Sequence, residues 1–223
     1  MTVSTDPGAA AEVAAPVNGA PQDQQRRFGV TWLAAVLVLG LLMGLAAGYL
    51  ALRPTTPADD SAEAGFLRDM STHHAQAVEM SMIAHANSTT STVVVLASDI
   101  ALTQNGQIGM MQAWLRDWKL SPTGSQAPMA WMPDSASSVV NGLMPGMATP
   151  EQMAKLRTAT GKDLDIQFLT LMRQHHLGGI HMAQEVLTLS KNKDVTWLAQ
   201  TMVTGQQGEL TVIDDMLKQL QAG

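Results

Sequence analysis

The sequence contains no cysteine, which excludes thiolate metal sites, disulfides and cysteine nucleophiles together. Aromatic residues make up only 4% of it, with three Phe and one Tyr. Long alternating runs of β-branched residues are absent too, so a helical fold is favoured over a sheet. Positive charge is also short. The chain carries 13 Lys and Arg against 19 Asp and Glu, a net charge of -6. No row of phosphates could be neutralised by it, which argues against nucleic-acid binding. Phosphate loops, dinucleotide fingerprints and hydrolytic triads are missing. So is the Glu-x-x-His of carboxylate-bridged di-iron bundles. What the chain does have is 16 Met and 6 His, the histidines confined to two short stretches.

The chain is not uniform. Residues 1–25 are mostly Ala, Pro, Gln and Gly, cannot build a core, and read as a disordered tail. Residues 28–52 carry no charge and are long enough to cross a bilayer. Arg26 and Arg27 precede this run, while Asp59, Asp60 and Glu63 follow it. That asymmetry favours an N-terminus inside and a C-terminal domain outside the cytoplasm. The competing reading is a cleaved signal with a small-residue site near Ala46 and Ala47, which would leave a secreted protein. The length of the apolar run favours a single-pass anchor.

The remainder is organised by an internal repeat. At an offset of 102, FLRDMSTHHAQAVEM aligns with FLTLMRQHHLGGIHM. Phe66, Leu67, Met70, His73, His74 and Met80 recur as Phe168, Leu169, Met172, His175, His176 and Met182. Upstream, Glu63 meets Asp165; downstream, Gln104 and Gln107 meet Gln206 and Glu209. Each copy reads as a helical hairpin, the first over 60–120 and the second over 162–222. Helices are expected near 60–86, 92–119, 162–190 and 194–221. Two hairpins make a four-helix bundle with pseudo-twofold symmetry. Residues 121–161, rich in Met, Pro and Gly, are the crossover linker. Within it Thr149-Pro150-Glu151-Gln152 has the pattern of a capped helix start, with a short helix expected to end near Gly161.

At 100° per residue, Glu63, Met70, His73, His74, Ala77 and Met80 fall within a sector of roughly 120°. The second copy repeats this with Asp165, Met172, His175, His176, Gly179 and Met182. Ala77 and Gly179 leave room for a facing helix or a ligand. Imidazole suits copper, zinc, iron and nickel, and thioether selects soft ions, copper(I) above all. The eight Met and His residues are therefore the candidate ligands. Glu63 and Asp165 are candidates to ligate or to orient the imidazoles from behind; Gln104, Gln107, Gln206 and Glu209 are candidates to do the same from the second helices or to make inter-helix hydrogen bonds. Against this stand Met as a core filler and histidine as a hydrogen-bonded core residue. His85 and His181 have no counterparts across the repeat, and His181 falls on the opposite face. The segment Met144 to Met147, MPGM, reads as a lid or as a loop packed on the bundle.

The paired motifs MSTHHAQAVEM and MRQHHLGGIHM, with Gln-x-x-Gln, Gln-x-x-Glu and LMPGM, resemble the DUF 305 family over about 60–222. That resemblance implies a ferritin-like, all-α fold in a secreted or membrane-anchored protein, with copper binding in some members. It also implies that Gln107 stands where a Glu is usual. The expected function is extracytoplasmic metal binding, with copper first and another transition metal second, for sequestration or handover. The protein is expected to bind rather than catalyse; the protein partner, if any, is unspecified. A pH-sensing or scaffold module with structural histidines is the alternative, and a ferritin-like metal oxidase the third reading.

Overall fold

The computed structural model describes residues 29–52, 56–133 and 138–222. Among them are six α-helices and no extended strand, so the chain is all-α. The expected tail, residues 1–25, lies outside the described residues, as do Arg26 and Arg27. Contacts divide the chain into two units, before and after Pro54.

The first unit contributes one helix, α1 (Val30–Leu52). Its 23 residues would span about 35 Å at 1.5 Å per residue, against the roughly 30 Å of a bilayer's hydrocarbon core. Its large apolar side chains, Leu33, Leu37, Leu41 and Leu45 among them, are exposed. The helix is long and apolar enough to cross a membrane.

The second unit holds α2 (Ala62–Asn87), α3 (Ser91–Asp117), α4 (Pro150–Thr158), α5 (Gly161–Leu189) and α6 (Lys193–Ala222). Ser61 starts α2 by accepting a hydrogen bond from the Ala64 amide on its side chain, satisfying one of the amides that a helix start leaves free. The turns Ser88-Thr89-Thr90 and Ser190-Lys191-Asn192 close the two hairpins. Thr149 and Gln152 form a reciprocal capping box at the start of α4, with Pro150 in the first turn. That helix stops at Thr158, before Gly161, which instead opens α5 with a positive φ of 53°.

Within each hairpin the helices pack along their length, α2 on α3 and α5 on α6, and the hairpins meet through α2 and α5. Two hydrophobic clusters fill the bundle. One takes Phe66, Leu67 and Met70 from the N-terminal half of α2 with Met182, Ala183 and Val186 from the C-terminal half of α5. The other takes Ala77, Met80 and Ala84 with Leu164, Phe168, Leu169 and Met172. The central helices therefore run antiparallel. On each of them the His pair falls between the stretch given to one cluster and the stretch given to the other.

The turns are locked crosswise. Asp165 accepts hydrogen bonds from Ser88 Oγ at 2.6 Å and Thr90 Oγ1 at 2.5 Å, in the turn of the first hairpin. Its repeat counterpart Glu63 accepts from Ser190 Oγ, in the turn of the second, at 2.7 Å.

The linker is fastened mainly to α2. Asp69 accepts from the Met129 amide and Trp131 Nε1, and Trp131 stands edge-on to Phe66 with ring centroids 5.7 Å apart. Arg68 donates to the Ser121 and Asp59 carbonyls and pairs with the Asp59 carboxylate. Gln76 clamps both backbone groups of Ala148.

Candidate metal centre

His73, His74, His175 and His176 are fully or almost fully buried. The rings of His73 and His175 lie over one another where α2 and α5 meet, with centroids 3.7 Å apart and planes tilted by 34°. Each of the four uses Nε2 on an oxygen. His73 reaches the Pro145 carbonyl at 3.0 Å and His175 the His73 carbonyl at 2.9 Å. His74 reaches Gln107 Oε1 at 2.7 Å, and His176 reaches Glu209 Oε2 at 2.5 Å. A carbonyl only accepts, so Nε2 of His73 and His175 carries the proton. In a neutral ring the other nitrogen is then a bare lone pair.

Those lone pairs have no partner. Among the described residues, eight buried side-chain nitrogen and oxygen atoms lack a hydrogen bond, and four of them are the Nδ1 atoms of these histidines. Three more belong to Gln104 and Gln206, the repeat-related glutamines, leaving only Ser81 Oγ outside the repeated set. An unmatched buried polar atom costs roughly 1–3 kcal/mol, and such atoms are rare in folded chains. Seven of the eight thus fall in one repeated set. Burial also favours the neutral form of three of these rings. It pushes His73 down to about 4 and His74 down to about 3, and His175 well below its ordinary value, with neighbouring imidazoles adding to the effect.

The remaining sequence candidates divide clearly. Gln107 and Glu209 hold the imidazoles of their own hairpins. Glu63 and Asp165 serve the opposite turns, so their hydrogen bonds go to Ser and Thr side chains and not to imidazole. Gln206 lies against Gly179, where an added Cβ would stand 2.7 Å from its Oε1; the small residue admits α6 of the same hairpin. Met70 and Met182 are buried in one cluster, Met80 and Met172 in the other. The thioethers thus flank the imidazole layer in pairs drawn from different repeats. His181 and His85 are exposed, and His85 Nδ1 contacts Ser98 Oγ at 2.8 Å.

The MPGM segment closes on the layer. An added Cβ on Gly178 would stand 1.9 Å from the Pro145 carbonyl oxygen, and one on Gly146, whose φ is 79°, would meet the Gln174 carbonyl at 2.3 Å. Two glycines let backbone meet backbone here and bring Pro145 to His73. The linker's side-chain anchors escape a motif-based reading. A signal for them did exist in the mismatches of the repeat: Arg68, Asp69 and Gln76 stand opposite Thr170, Leu171 and Gly178. Among the described residues, no three His, Asp or Glu side chains are already gathered as a coordination shell.

Residues 63–217 match the family described as a domain of unknown function, DUF305. The chain belongs to the DUF305 family. No curated protein matches it. Among solved DUF305 structures, a Streptomyces coelicolor protein predicted to be secreted is 43% identical with a TM-score of 0.69, over 74% of this chain and 96% of that one. A DUF305 fragment from Deinococcus radiodurans is 30% identical with a TM-score of 0.61, over 74% and 99%. CopM in its Cu(I)-bound form is 20% identical with a TM-score of 0.56, over 71% and 96%. At that identity CopM and this DUF305 chain share a fold, and no more follows from the likeness.

Proposed function

We propose that the chain binds copper(I) in the buried imidazole–thioether layer, outside the cytoplasm, and sequesters the ion or hands it on. The observation that carries this reading is the set of four buried histidines whose Nε2 atoms are each held by an oxygen while Nδ1 stays bare. Histidine ligands characteristically donate through the second ring nitrogen to a carbonyl or carboxylate, which fixes the tautomer. Four buried thioethers, two on either side, favour a soft ion. The scarcity of converging carboxylates disfavours calcium and magnesium, which take oxygen ligands. That CopM, a fold neighbour, has been solved in Cu(I)- and Cu(II)-bound forms agrees with this choice of metal. The metal would supply charge to satisfy the bare lone pairs; the chain's residues orient the donors and exclude water.

The reading is one of binding rather than catalysis, since nothing in the residues specifies a substrate or a nucleophile. Sensing of pH near neutrality is poorly served by rings held neutral down to about 4 for His73 and about 3 for His74. For location, α1 acts as a single-pass anchor with the bundle outside; its removal as a signal would give a secreted form.

The test is a titration of the full chain in detergent micelles with copper(I) and copper(II) against a competing chelator, with zinc and iron as controls. Tight copper(I) binding that is lost on replacing His73 and His74 or His175 and His176 by Ala, with helicity kept, is the expected result. Binding no tighter than about micromolar, roughly 8 kcal/mol, for every metal would return the histidines to a structural role.

A further inference from the structure

A groove of about 580 Å³ opens between the first turns of α3 and the middle of α6. Its walls are mostly apolar, with Val95, Leu96, Val212 and Met216. Its only charged residues are two carboxylates, Asp99 and Glu209. Low-dielectric walls around charges of one sign focus the field and raise the local concentration of counter-ions. Glu209 faces two ways. Its side chain is 23% exposed and lines the groove, while its Oε2 accepts from His176, a ring that is wholly buried and has a bare Nδ1.

The two repeats differ at this point. Glu209 stands opposite Gln107, and Gly205, one helical turn before it, stands opposite Thr103. Gly205 and Gly208 lie inside α6, where each costs about 1 kcal/mol relative to Ala. Neither has a positive φ, and an added Cβ on either would meet nothing within 4 Å. Backbone geometry and close packing therefore do not require them. Their effect is to leave bare the face of α6 beside Glu209, on the i and i+4 positions that share one side of a helix.

We infer that this groove is the route by which a cation enters the buried imidazole layer, with Glu209 as the positioning residue at its inner end. The inference rests on the copper(I) reading above for the identity of the ion. Asp99 and Glu209 draw the cation in, and the Met216 thioether offers a soft donor on the wall. Glu209 then sits at hydrogen-bond distance from the first imidazole of the layer. The first repeat carries Thr103 and the neutral Gln107 at the corresponding positions.

The test separates the rate of loading from the affinity. The metal-stripped full chain in detergent is mixed with the acetonitrile complex of copper(I), and unbound metal is trapped at timed intervals by a chromophoric chelator. Gly205→Leu fills the groove, and Gly106→Leu is its control, since Gly106 is equally open but does not line the groove. Gly205→Leu should slow loading roughly tenfold, the lower end of what focusing clefts contribute, with equilibrium affinity retained. Gly106→Leu should load like the parent, and Glu209→Gln should load slowly with a weaker dependence on salt. Should Gly205→Leu not fold, Gly205→Thr, which copies the first repeat, gives the same comparison in milder form. A plugged variant that loads at the parental rate overturns the route while leaving the copper site standing, as does one that loses affinity along with rate. A parent chain that takes up no copper(I) removes the site and the route together.

Discussion

A buried neutral imidazole has one donor and one acceptor to place, and His73 and His74 each place Nε2 and leave Nδ1 bare. The consequence for stability has a definite sign. In the unfolded chain they titrate near 6.5, whereas folding holds His73 neutral to about 4 and His74 to about 3. Between those values the unfolded state binds more protons. The contribution to stability is therefore complete above the unfolded value and is lost as the pH falls from about 6.5 toward about 4 for His73 and about 3 for His74. The metal-stripped protein should show a melting temperature that declines across that window. Replacing His73 and His74 by Gln should flatten the decline even if it lowers the plateau. A slope unchanged in that variant would mean that acid sensitivity comes from other groups. The four histidines and the four methionines were visible as residues on one face of a repeated pattern; Gln107 and Glu209 were visible as candidates on the second helices, with imidazole or a neighbouring helix as their partner left open. Which ring nitrogen would be bare was not visible, because it depends on the Pro145 and His73 carbonyls, and main-chain oxygens leave no mark in a pattern of side chains.

At the scale of elements, the repeat located the two hairpins because hydrophobic spacing and duplication agree, and the capping box announced α4. What the repeat concealed is that its carboxylates act between hairpins. Glu63 and Asp165 share a helix face with the histidines by angle, yet they lie near the starts of α2 and α5. Since those helices run antiparallel, each helix start meets the far turn of the other hairpin. Asp165→Ala would strip Ser88 Oγ and Thr90 Oγ1 of their acceptor, two bonds to a charged group worth about 1.5–3 kcal/mol each at most. Glu63→Ala removes one, from Ser190. Chemical denaturation should therefore rank Asp165→Ala as the more damaging, by about 1 kcal/mol or more. Copper(I) affinity per folded molecule should hardly change in either variant. If Asp165→Ala abolished binding in a protein that remained folded, the carboxylate would act on the imidazoles after all. The linker is held by residues that the repeat does not share. Its anchors, Arg68, Asp69 and Gln76, are the places where the first copy departs from the second, and reading only the matches passes over them.

For the molecule as a whole, two units of different chemistry are joined near Pro54. The second has both hydrophobic clusters, both turn locks and all four buried histidines, and none of these draws on α1. The S. coelicolor structure matches 74% of this chain over 96% of its own length, so a chain without most of the first unit makes this fold. A protein beginning at Thr56 should accordingly fold alone, with a melting temperature within a few degrees of the full chain's, since about 1 kcal/mol corresponds to a few degrees at this size. The two forms should differ in where they go. In cells, a chain retaining α1 should resist alkaline extraction from membranes, because an apolar helix of this length does not leave the bilayer readily. The chain beginning at Thr56 should be released. Terminal sequencing of the native protein then separates anchor from signal. An intact N-terminus in the membrane fraction establishes the tether and keeps the proposed copper(I) site at the cell surface. A new N-terminus near Ala47, with the protein in the medium, would make it a diffusible binder and transfer the handover role to whatever captures it.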